Sequence, residues 1–391
     1  MNAARTVALA VVLWVAADPA WAALEAVETA CATTPASAVS AVAPAAEPAF
    51  AVLLRADPPA ALARACVSWR AAPDDPAAAL PLAEALTANL KLEASLALLE
   101  AARAAIDAPG AGPALQALAP RLHLALGTRA YENADLAEAG RHFERARGVL
   151  IAAGQGDSAA HAMALVGLAG VWNNRRQPGD TDRAEAALDQ AAALYEALGM
   201  ALTREMSDVV NLRAVIANAR QDLPGAIRWA RAEVDLYQRM GLADEPELLH
   251  AHTTIGALSS QLGRFDEAEA ALREGLRIMA LHPDAEPAGQ LGVLNNLTTL
   301  HLDRGEDAAA RDTAERSLAL AQRVYGVGTP RTLTALTGLA QAQRQLALYA
   351  QSRRGFEAAL AVAERHAASV GLLHRQRRFE AAPRLRVPRQ L

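Results

Sequence analysis

The chain has 391 residues, of which 52% are hydrophobic but only 4% aromatic, and its formal net charge is −5. This length exceeds that of one ordinary compact domain, so it predicts either several domains or one long repetitive array. The alanine-rich, helix-favouring composition indicates the array. The small negative charge gives no reason to expect nucleic-acid binding.

Residues 1–22 have the features of a secretory signal peptide. A short cationic start, MNAAR, precedes the apolar run TVALAVVLWVAA, and the small residues Ala20 and Ala22 indicate cleavage after Ala22. The alternative is an uncleaved anchor, but about a dozen apolar residues are too few for a bilayer core of ~30 Å. The segment therefore predicts an exported protein, periplasmic or extracellular, with no integral membrane span after cleavage.

Residues 23–75 form an Ala/Pro-rich segment whose later part, AALARACVSWRAA, we interpret as a capping helix or a degenerate first repeat. The segment contains both cysteines of the chain, Cys31 and Cys66. In an oxidising compartment they can pair, which would close a loop of about 35 residues and stabilise the fold by roughly 3–4 kcal/mol. The alternative is two buried or free thiols.

The next part of the chain repeats one phrase. GRFDEAEAALREGL (263–276) returns 42 residues later as GEDAAARDTAERSL. Steps of 42 and 45 residues from Ala268 reach a small residue each time. These marker positions are Ala94, Ala139, Ala184, Ala226, Ala268, Ala310 and Ser352. A larger or apolar residue follows each marker by four positions, as on one face of a helix.

A second helical stretch precedes each marker, and glycine, proline or aspartate stands at most of the breaks. No segment alternates with the period of two that a strand requires, so we predict almost no β-structure. The expected fold is all-α, a right-handed superhelical solenoid of about seven antiparallel helix pairs over residues 76–366. We place a sub-boundary at 107–113, DAPGAGP, and a basic tail at 367–391 that is either solvated or binds an anionic partner.

The repeat resembles the tetratricopeptide repeat (TPR). The likeness is carried by Leu126-Gly127 and Ile255-Gly256 in first helices, then by the marker alanine, and then by Phe143 or Leu272. The period is 42 residues instead of about 34, and with LNNL at 294–297 it is similar to the kinesin-light-chain type of TPR. The resemblance implies stacked α-hairpins with a concave groove for a protein or peptide.

Common catalytic and metal-binding motifs are missing from the sequence, which has no CxxC, HExxH, GxSxG, GxGxxG or GxxxxGK[ST] pattern. His250 and His252 would point about 200° apart on a helix, so they cannot share a metal; we expect one to face inward and one to face solvent. The other histidines, including His123, His142 and His301, stand singly in the sequence. We predict no enzymatic activity, no cofactor and no metal site.

Polar side chains recur on the first helices at the 42-residue step. They are Asn211, Thr253, Asn295 and Thr337, then, seven residues further, Asn218, Ser260 and Arg344, with Asn173 in the preceding unit. Amide and hydroxyl groups can bond to a peptide main chain without demanding a particular side chain. In peptide-binding members of the family that the repeat resembles, first-helix asparagines hold the ligand main chain, and Asn295 with Asn296 fits that pattern best.

The alternative is an ordinary solvated helix face. Three arginines near this face, Arg175, Arg344 and Arg354, would add a preference for an acidic peptide or a carboxylate.

These features predict a non-catalytic adaptor or scaffold of the cell envelope that holds a protein or an extended peptide in its groove. Two other readings of the repeat remain open. One is a structural component that assembles with copies of itself or with an envelope complex. The other is a regulatory subunit of a separately encoded exported enzyme. The sequence leaves the oligomeric state open.

Overall fold

The computed structural model describes residues 19–32, 50, 53–54, 57–283 and 287–380, with side chains between 26 and 367. Almost all of the predicted signal peptide, and residues 381–391 of the predicted basic tail, lie outside these ranges. Within them the ordered elements are helices and there is no strand, which confirms the predicted all-α class. None of the described helices combines the length and apolarity needed to cross a bilayer.

The chain forms two compact units, Met1–Leu212 and Arg213–Leu391. The helices of the first unit are α1 (Pro19–Ala32), α2 (Pro58–Ala71), α3 (Pro76–Ala88), α4 (Leu92–Ile106), α5 (Pro113–Gln116), α6 (Ala119–Glu132), α7 (Leu136–Ala152), α8 (Ala159–Arg175) and α9 (Asp180–Ala197). The division falls inside α10 (Arg204–Ala219). The helices of the second unit are α11 (Leu223–Arg239), α12 (Leu248–Gln261), α13 (Phe265–Leu281), α14 (Pro287–Arg304), α15 (Asp307–Tyr325), α16 (Leu333–Gln345) and α17 (Tyr349–Glu380).

The N-terminal helices α1 and α2 are joined to each other by a disulfide, and α1 is joined to the first repeat by a hydrogen bond. Aspartates start α2 and α3: the Asp57 side chain accepts from the backbone N–H of Ala60, and Asp75 caps α3 in the same way. Cys31 of α1 and Cys66 of α2 form a disulfide with 5.7 Å between their α carbons. Lys91 Nζ donates to the carbonyl of Ala30 at the end of α1. The described residues before 76 thus include the helices α1 and α2, and α1 packs on α4.

Successive helices pair as α-hairpins. These are α3–α4, α6–α7 and α8–α9 in the first unit, and α12–α13, α14–α15 and α16–α17 in the second. Within each unit the second helix of a hairpin packs on the first helix of the next one. All seven marker positions are buried, with at most 5% of the surface exposed. Small residues are required there because neighbouring helices approach closely.

The turn inside each of these hairpins, like the turn between α10 and α11, contains a residue with positive φ. These residues are Leu90, Ala134, Gly179, Gln221, Gly263, Gly305 and Ala347. At the end of α12 the N–H of Gly263 donates to Ser260 O, and the N–H of Arg264 donates to Ser259 O. This arrangement satisfies the last carbonyls of the helix, and it recurs at all of the seven residues except Gly179, although four of them are not glycine.

Phe143 shows how two hairpins interlock in the first unit. Its ring lies between Gly127 of its own first helix and Gly167 of the next first helix. A Cβ added at Gly127 would come within 2.7 Å of the ring, and one added at Gly167 within 2.6 Å. Both glycines are needed because the ring fills the space that a side chain would occupy.

The proposed sub-boundary at 107–113 is crossed by side-chain contacts. Arg121 of α6 donates two hydrogen bonds to Glu84 of α3, at 2.8 and 2.9 Å. Arg129 Nε also donates to the carbonyl of Leu92. Helices on both sides of this stretch thus belong to one compact unit, and the domain limits inside residues 76–366 stay a prediction from the sequence.

Candidate functional site

The first helices α14 and α16 form a cleft of about 310 Å³ in the second unit. Nine residues line it: Asn295, Thr298, Thr299, Leu302, Leu333, Thr334, Thr337, Gly338 and Gln341. Six of them are polar and none is ionisable. Asn295 and Thr337, which the sequence places one repeat apart, meet in this cleft.

Glycines determine how closely the first helices of neighbouring hairpins approach each other. A Cβ at Gly338 of α16 would lie 3.0 Å from Thr298 Cγ2 of α14, and one at Gly292 would lie 3.2 Å from Thr253 Cγ2 of α12. The helices can therefore lie near enough for side chains from two repeats to line one cleft.

The side chain of Asn295 is held in one orientation by a hydrogen bond from another helix. Ser317 of α15, which is fully buried, donates its hydroxyl to Asn295 Oδ1 at 2.7 Å. The amide nitrogen of Asn295 makes no hydrogen bond to the described residues, so its two N–H donors remain available to a ligand. The hydrogen bond from Ser317 thus occupies the amide oxygen of Asn295 and leaves the amide N–H donors for the cleft.

The cleft threonines present mainly acceptor oxygens. The hydroxyls of Thr298, Thr299 and Thr337 each donate to the backbone carbonyl four residues earlier in their own helix. Their protons are occupied, whereas a lone pair of each oxygen remains free. Gln341 makes no hydrogen bond to the described residues and carries both a donor and an acceptor. The lining therefore offers uncharged groups of both kinds.

Other predicted site residues of the second unit do not line this cleft. Asn296 Nδ2 donates to Gly292 O within its own helix. Ser260 Oγ donates to Asp303 Oδ2 at 3.3 Å, and Thr253 Oγ1 is buried without a hydrogen bond among the described residues. Arg344 is exposed outside the lining.

The remaining predicted groove residues are not brought to the cleft either. Asn173 is buried, with 7% of its surface exposed, and Asn211 is half-buried; both belong to the first unit. Asn218 is exposed on the last turn of α10. Arg175, a source of the predicted preference for acidic groups, pairs with both carboxylate oxygens of the buried Asp180, at 2.6 and 2.8 Å. Its charge is neutralised locally.

Sequence reasoning missed Ser317 and most of the cleft wall. Thr298, Thr299, Thr334, Gly338 and Gln341 lie within four residues of Asn295 or Thr337. Positions three and four apart share a helix face, so widening the search from one position per repeat to that face would have found them. Ser317 lies on a second helix and carries no local signal, because its contact depends on hairpin packing.

The histidines include two pairings that the sequence did not reveal. His123 and His142 lie with their Nδ1 atoms 3.2 Å apart, and His142 Nε2 lies 3.8 Å from Glu138 Oε1. His301 Nδ1 lies 2.6 Å from Glu306 Oε2. The expectation that these histidines stand singly was wrong, because hairpin turns and helical spacing bring partners together.

The inward and outward assignment of the histidine pair on α12 is confirmed. His252 is buried and His250 is exposed. Burial lowers the pKa of His252, and its Nδ1 has no hydrogen-bond partner among the described residues. Within those residues no group of three or more His, Cys, Asp or Glu side chains is arranged to hold a metal ion.

The segment that forms this cleft also carries the sequence match to a known family. Residues 290–365 match the tetratricopeptide repeat. This range spans nearly all of α14, all of α15 and α16, and the first half of α17. Tetratricopeptide repeats generally mediate protein–protein interactions. The curated proteins contain no match to the chain.

Solved TPR structures resemble the fold of the chain. A Rap protein complexed with Competence and Sporulation Factor gives a TM-score of 0.52 at 15% identity, over 82% of this chain and 97% of that one. BtubC (BKLC) from P. vanneervenii gives 0.46 at 19% identity, over 67% and 94%. Kinesin light chain TPR-like repeats from Podosopora anserina give 0.44 at 16% identity, over 54% and 98%.

Proposed function

We propose that the protein is a non-catalytic TPR adaptor that binds an extended segment of a partner protein in the cleft between α14 and α16. The observation that carries this proposal is the uncharged, two-helix lining around Asn295 and Thr337. An extended main chain presents both N–H donors and C=O acceptors, and the cleft offers partners for each. The Rap protein, in complex with Competence and Sporulation Factor, shows that a fold of this kind can hold a partner.

The lining also determines what selectivity to expect. None of the nine residues carries a charge, so acidic and basic peptides should not be distinguished by the cleft wall itself. Leu302 and Leu333 supply the apolar surface on which a hydrophobic ligand side chain can pack. The ligand class is therefore an extended peptide with at least one apolar side chain, recognised mainly through its backbone.

A matched pair of neighbouring asparagines provides the test. Peptides would be selected on the full chain from a display library of random sequences about twelve residues long. Affinities of the selected peptides would then be measured by fluorescence polarisation for the wild type, Asn295→Ala and Asn296→Ala. Asn295→Ala should weaken binding by about tenfold, or ~1.4 kcal/mol. Asn296→Ala is the control, because its amide bonds within its own helix.

Two results would contradict peptide binding in this cleft. One is a set of selected peptides that binds the wild type and Asn295→Ala equally well. The other is equal loss for the two asparagine variants, which would indicate a general effect on α14 and not a contact to the ligand.

We place this adaptor outside the cytoplasm, in the periplasm or beyond. The support is the sequence of residues 1–22, together with the Cys31–Cys66 disulfide, since disulfides persist in oxidising compartments. A reporter enzyme that is active only after export, fused behind residues 1–30, tests this location. Activity together with a processed N-terminus at Ala23 is the expected result, and an inactive, unprocessed fusion would contradict it.

A further inference from the structure

An apolar stripe lies open on the last described helix, α17. Tyr349, Phe356 and Leu360 are 68%, 37% and 59% exposed. Their spacings of seven and four residues place them on one face of the helix. Ala363 and Ala367 continue this face toward the C-terminal end. We refer to these five residues as the α17 stripe.

The same face is covered in the internal hairpins. Phe143 and Leu272 occupy the position of Phe356 relative to the marker residue, and they are 4% and 0% exposed. Phe143 is covered by Gly167 of the next first helix, and Leu272 belongs to a cluster with Val293 of α14. This face of a second helix is therefore a helix-binding surface, and on α17 none of the described residues covers it.

The order of side chains along the α17 stripe would allow it to pair with a second copy of itself in an antiparallel arrangement. Around a two-fold axis at position 358, Phe356 would lie opposite Leu360 of the partner subunit. Tyr349 would then lie opposite Ala367 of the partner subunit, so that a large side chain would meet a small one. Ridges fit into grooves between helices by such alternation of size.

The charges beside the stripe match in the same register. Arg353 would lie opposite Ala363 of the partner subunit, and hence beside Glu364 of the partner subunit. Both Arg353 and Glu364 are exposed, and the contact of Arg353 within its own chain is a 3.7 Å ion pair with Glu357. The two-fold axis repeats the Arg–Glu pair on the other side, so each dimer would contain two of them.

We infer that the α17 stripe is a homodimer interface, in which a second copy of this chain packs its own α17 antiparallel. An interface of this isologous type closes at two subunits, so no longer assembly follows. None of the stripe residues lines the cleft between α14 and α16. The dimer is therefore independent of the proposed peptide binding, and either can fail without the other.

The mass of the full chain in solution tests the interface. Light scattering after gel filtration, with sedimentation equilibrium over a wide range of concentrations, should give twice the 41.0 kDa mass of one chain. Phe356→Glu and Leu360→Glu should give monomers with unchanged helicity. Val327→Glu is the matched control, because Val327 is 82% exposed in a loop outside the stripe, and it should stay dimeric.

A charge exchange tests the antiparallel register. Arg353→Glu and Glu364→Arg should each weaken dimerisation by about tenfold, and the double variant should recover most of that loss. A merely destabilised helix would show no such recovery. A monomeric wild type, a mass that keeps rising beyond two chains, or a double variant no better than the singles would each overturn the inference.

Discussion

Ser317 Oγ donates a 2.7 Å hydrogen bond to Asn295 Oδ1, and so a buried residue of α15 orients a polar residue of the cleft. In Ser317→Ala the amide of Asn295 loses this partner and can rotate. We expect the free energy of unfolding to fall by about 1 kcal/mol, the usual net value of such a bond. We also expect weaker binding of a selected peptide, because the donor side of the amide is no longer fixed toward the cleft.

A second serine variant separates an effect on the orientation of Asn295 from an effect on the stability of the fold. Ser352 is a buried serine of the next hairpin, at the marker position, and its hydroxyl donates to Ala340 O and not to a cleft residue. Ser352→Ala should lower stability by a similar amount but leave peptide affinity unchanged. Denaturant unfolding and fluorescence polarisation measure the two quantities. Equal affinity losses in both variants would show that Ser317 acts only through stability.

Gly167 should tolerate no side chain while Phe143 is present. In Gly167→Ala the new methyl group would lie 2.6 Å from the ring, so α7 and α8 must separate or the ring must leave its rotamer. Overpacking of this kind costs about 1–3 kcal/mol of unfolding free energy. Thermal and urea unfolding would measure the loss, and combining Gly167→Ala with Phe143→Leu should recover part of it.

Gly148 provides the control for this substitution. It lies within α7, and an added Cβ would meet nothing within 4 Å. Gly148→Ala should therefore raise stability by roughly 0.5–1 kcal/mol through the better helix propensity of alanine. Destabilisation by Gly148→Ala as large as that by Gly167→Ala would argue against the steric explanation.

Ala134 has a backbone conformation that favours glycine. Its φ is 59°, in the turn between α6 and α7, where two other hairpins have Gly263 and Gly305. Ala134→Gly should raise the free energy of unfolding by about 0.5–1 kcal/mol, because a Cβ in the left-handed region costs about 1–2 kcal/mol and glycine returns part of that as chain entropy. The reciprocal change Gly263→Ala should lower it. Urea unfolding would measure both changes. A loss of stability in Ala134→Gly, or a gain in Gly263→Ala, would contradict the left-handed backbone conformation of these turn residues.

Residue periodicity was enough to predict the hairpins but not how their turns close. The marker residues and the glycine-terminated first helices followed from spacing, since one buried small residue per repeat is a local, repeated requirement. Leu90, Ala134, Gln221 and Ala347 carry no turn signal of their own. Their positive φ values are imposed by the packing of the flanking helices, which overrides the local preference.

The cleft was predictable only in part, for a related reason. Asn295 and Thr337 recur at the repeat period and could be found from spacing. Asn173 is also polar but is buried, because the polarity of a side chain does not reveal which neighbour covers it. The His123–His142 contact likewise depends on the packing of two helices, at a distance that no local pattern encodes.

His123 should make the first unit sensitive to acid. Burial, with the positive charges of His142 and Arg145, lowers the pKa of His123 to about 4, against 6.5 for an ordinary histidine. Between these values the unfolded chain binds a proton that the folded chain does not, so stability is fully present above pH 6.5 and is lost as the pH falls toward 4. Between pH 6.5 and about 4, the unfolding free energy of His123→Gln should fall less steeply with decreasing pH than that of the wild type. Identical slopes for the two proteins would contradict this role.

The disulfide should be the largest single contribution to the stability of the N-terminal helices. Cys31 and Cys66 are 35 residues apart and both are buried, and the link joins α1 to α2. Closing a loop of this length restricts the unfolded chain, and replacing both cysteines by serine should lower the free energy of unfolding by roughly 3–4 kcal/mol. A reductant should have a comparable effect on the wild type and none on the double variant. If the reduced wild type unfolds at the same denaturant concentration as the oxidised protein, then helix packing and the Lys91–Ala30 contact hold α1 without the covalent link.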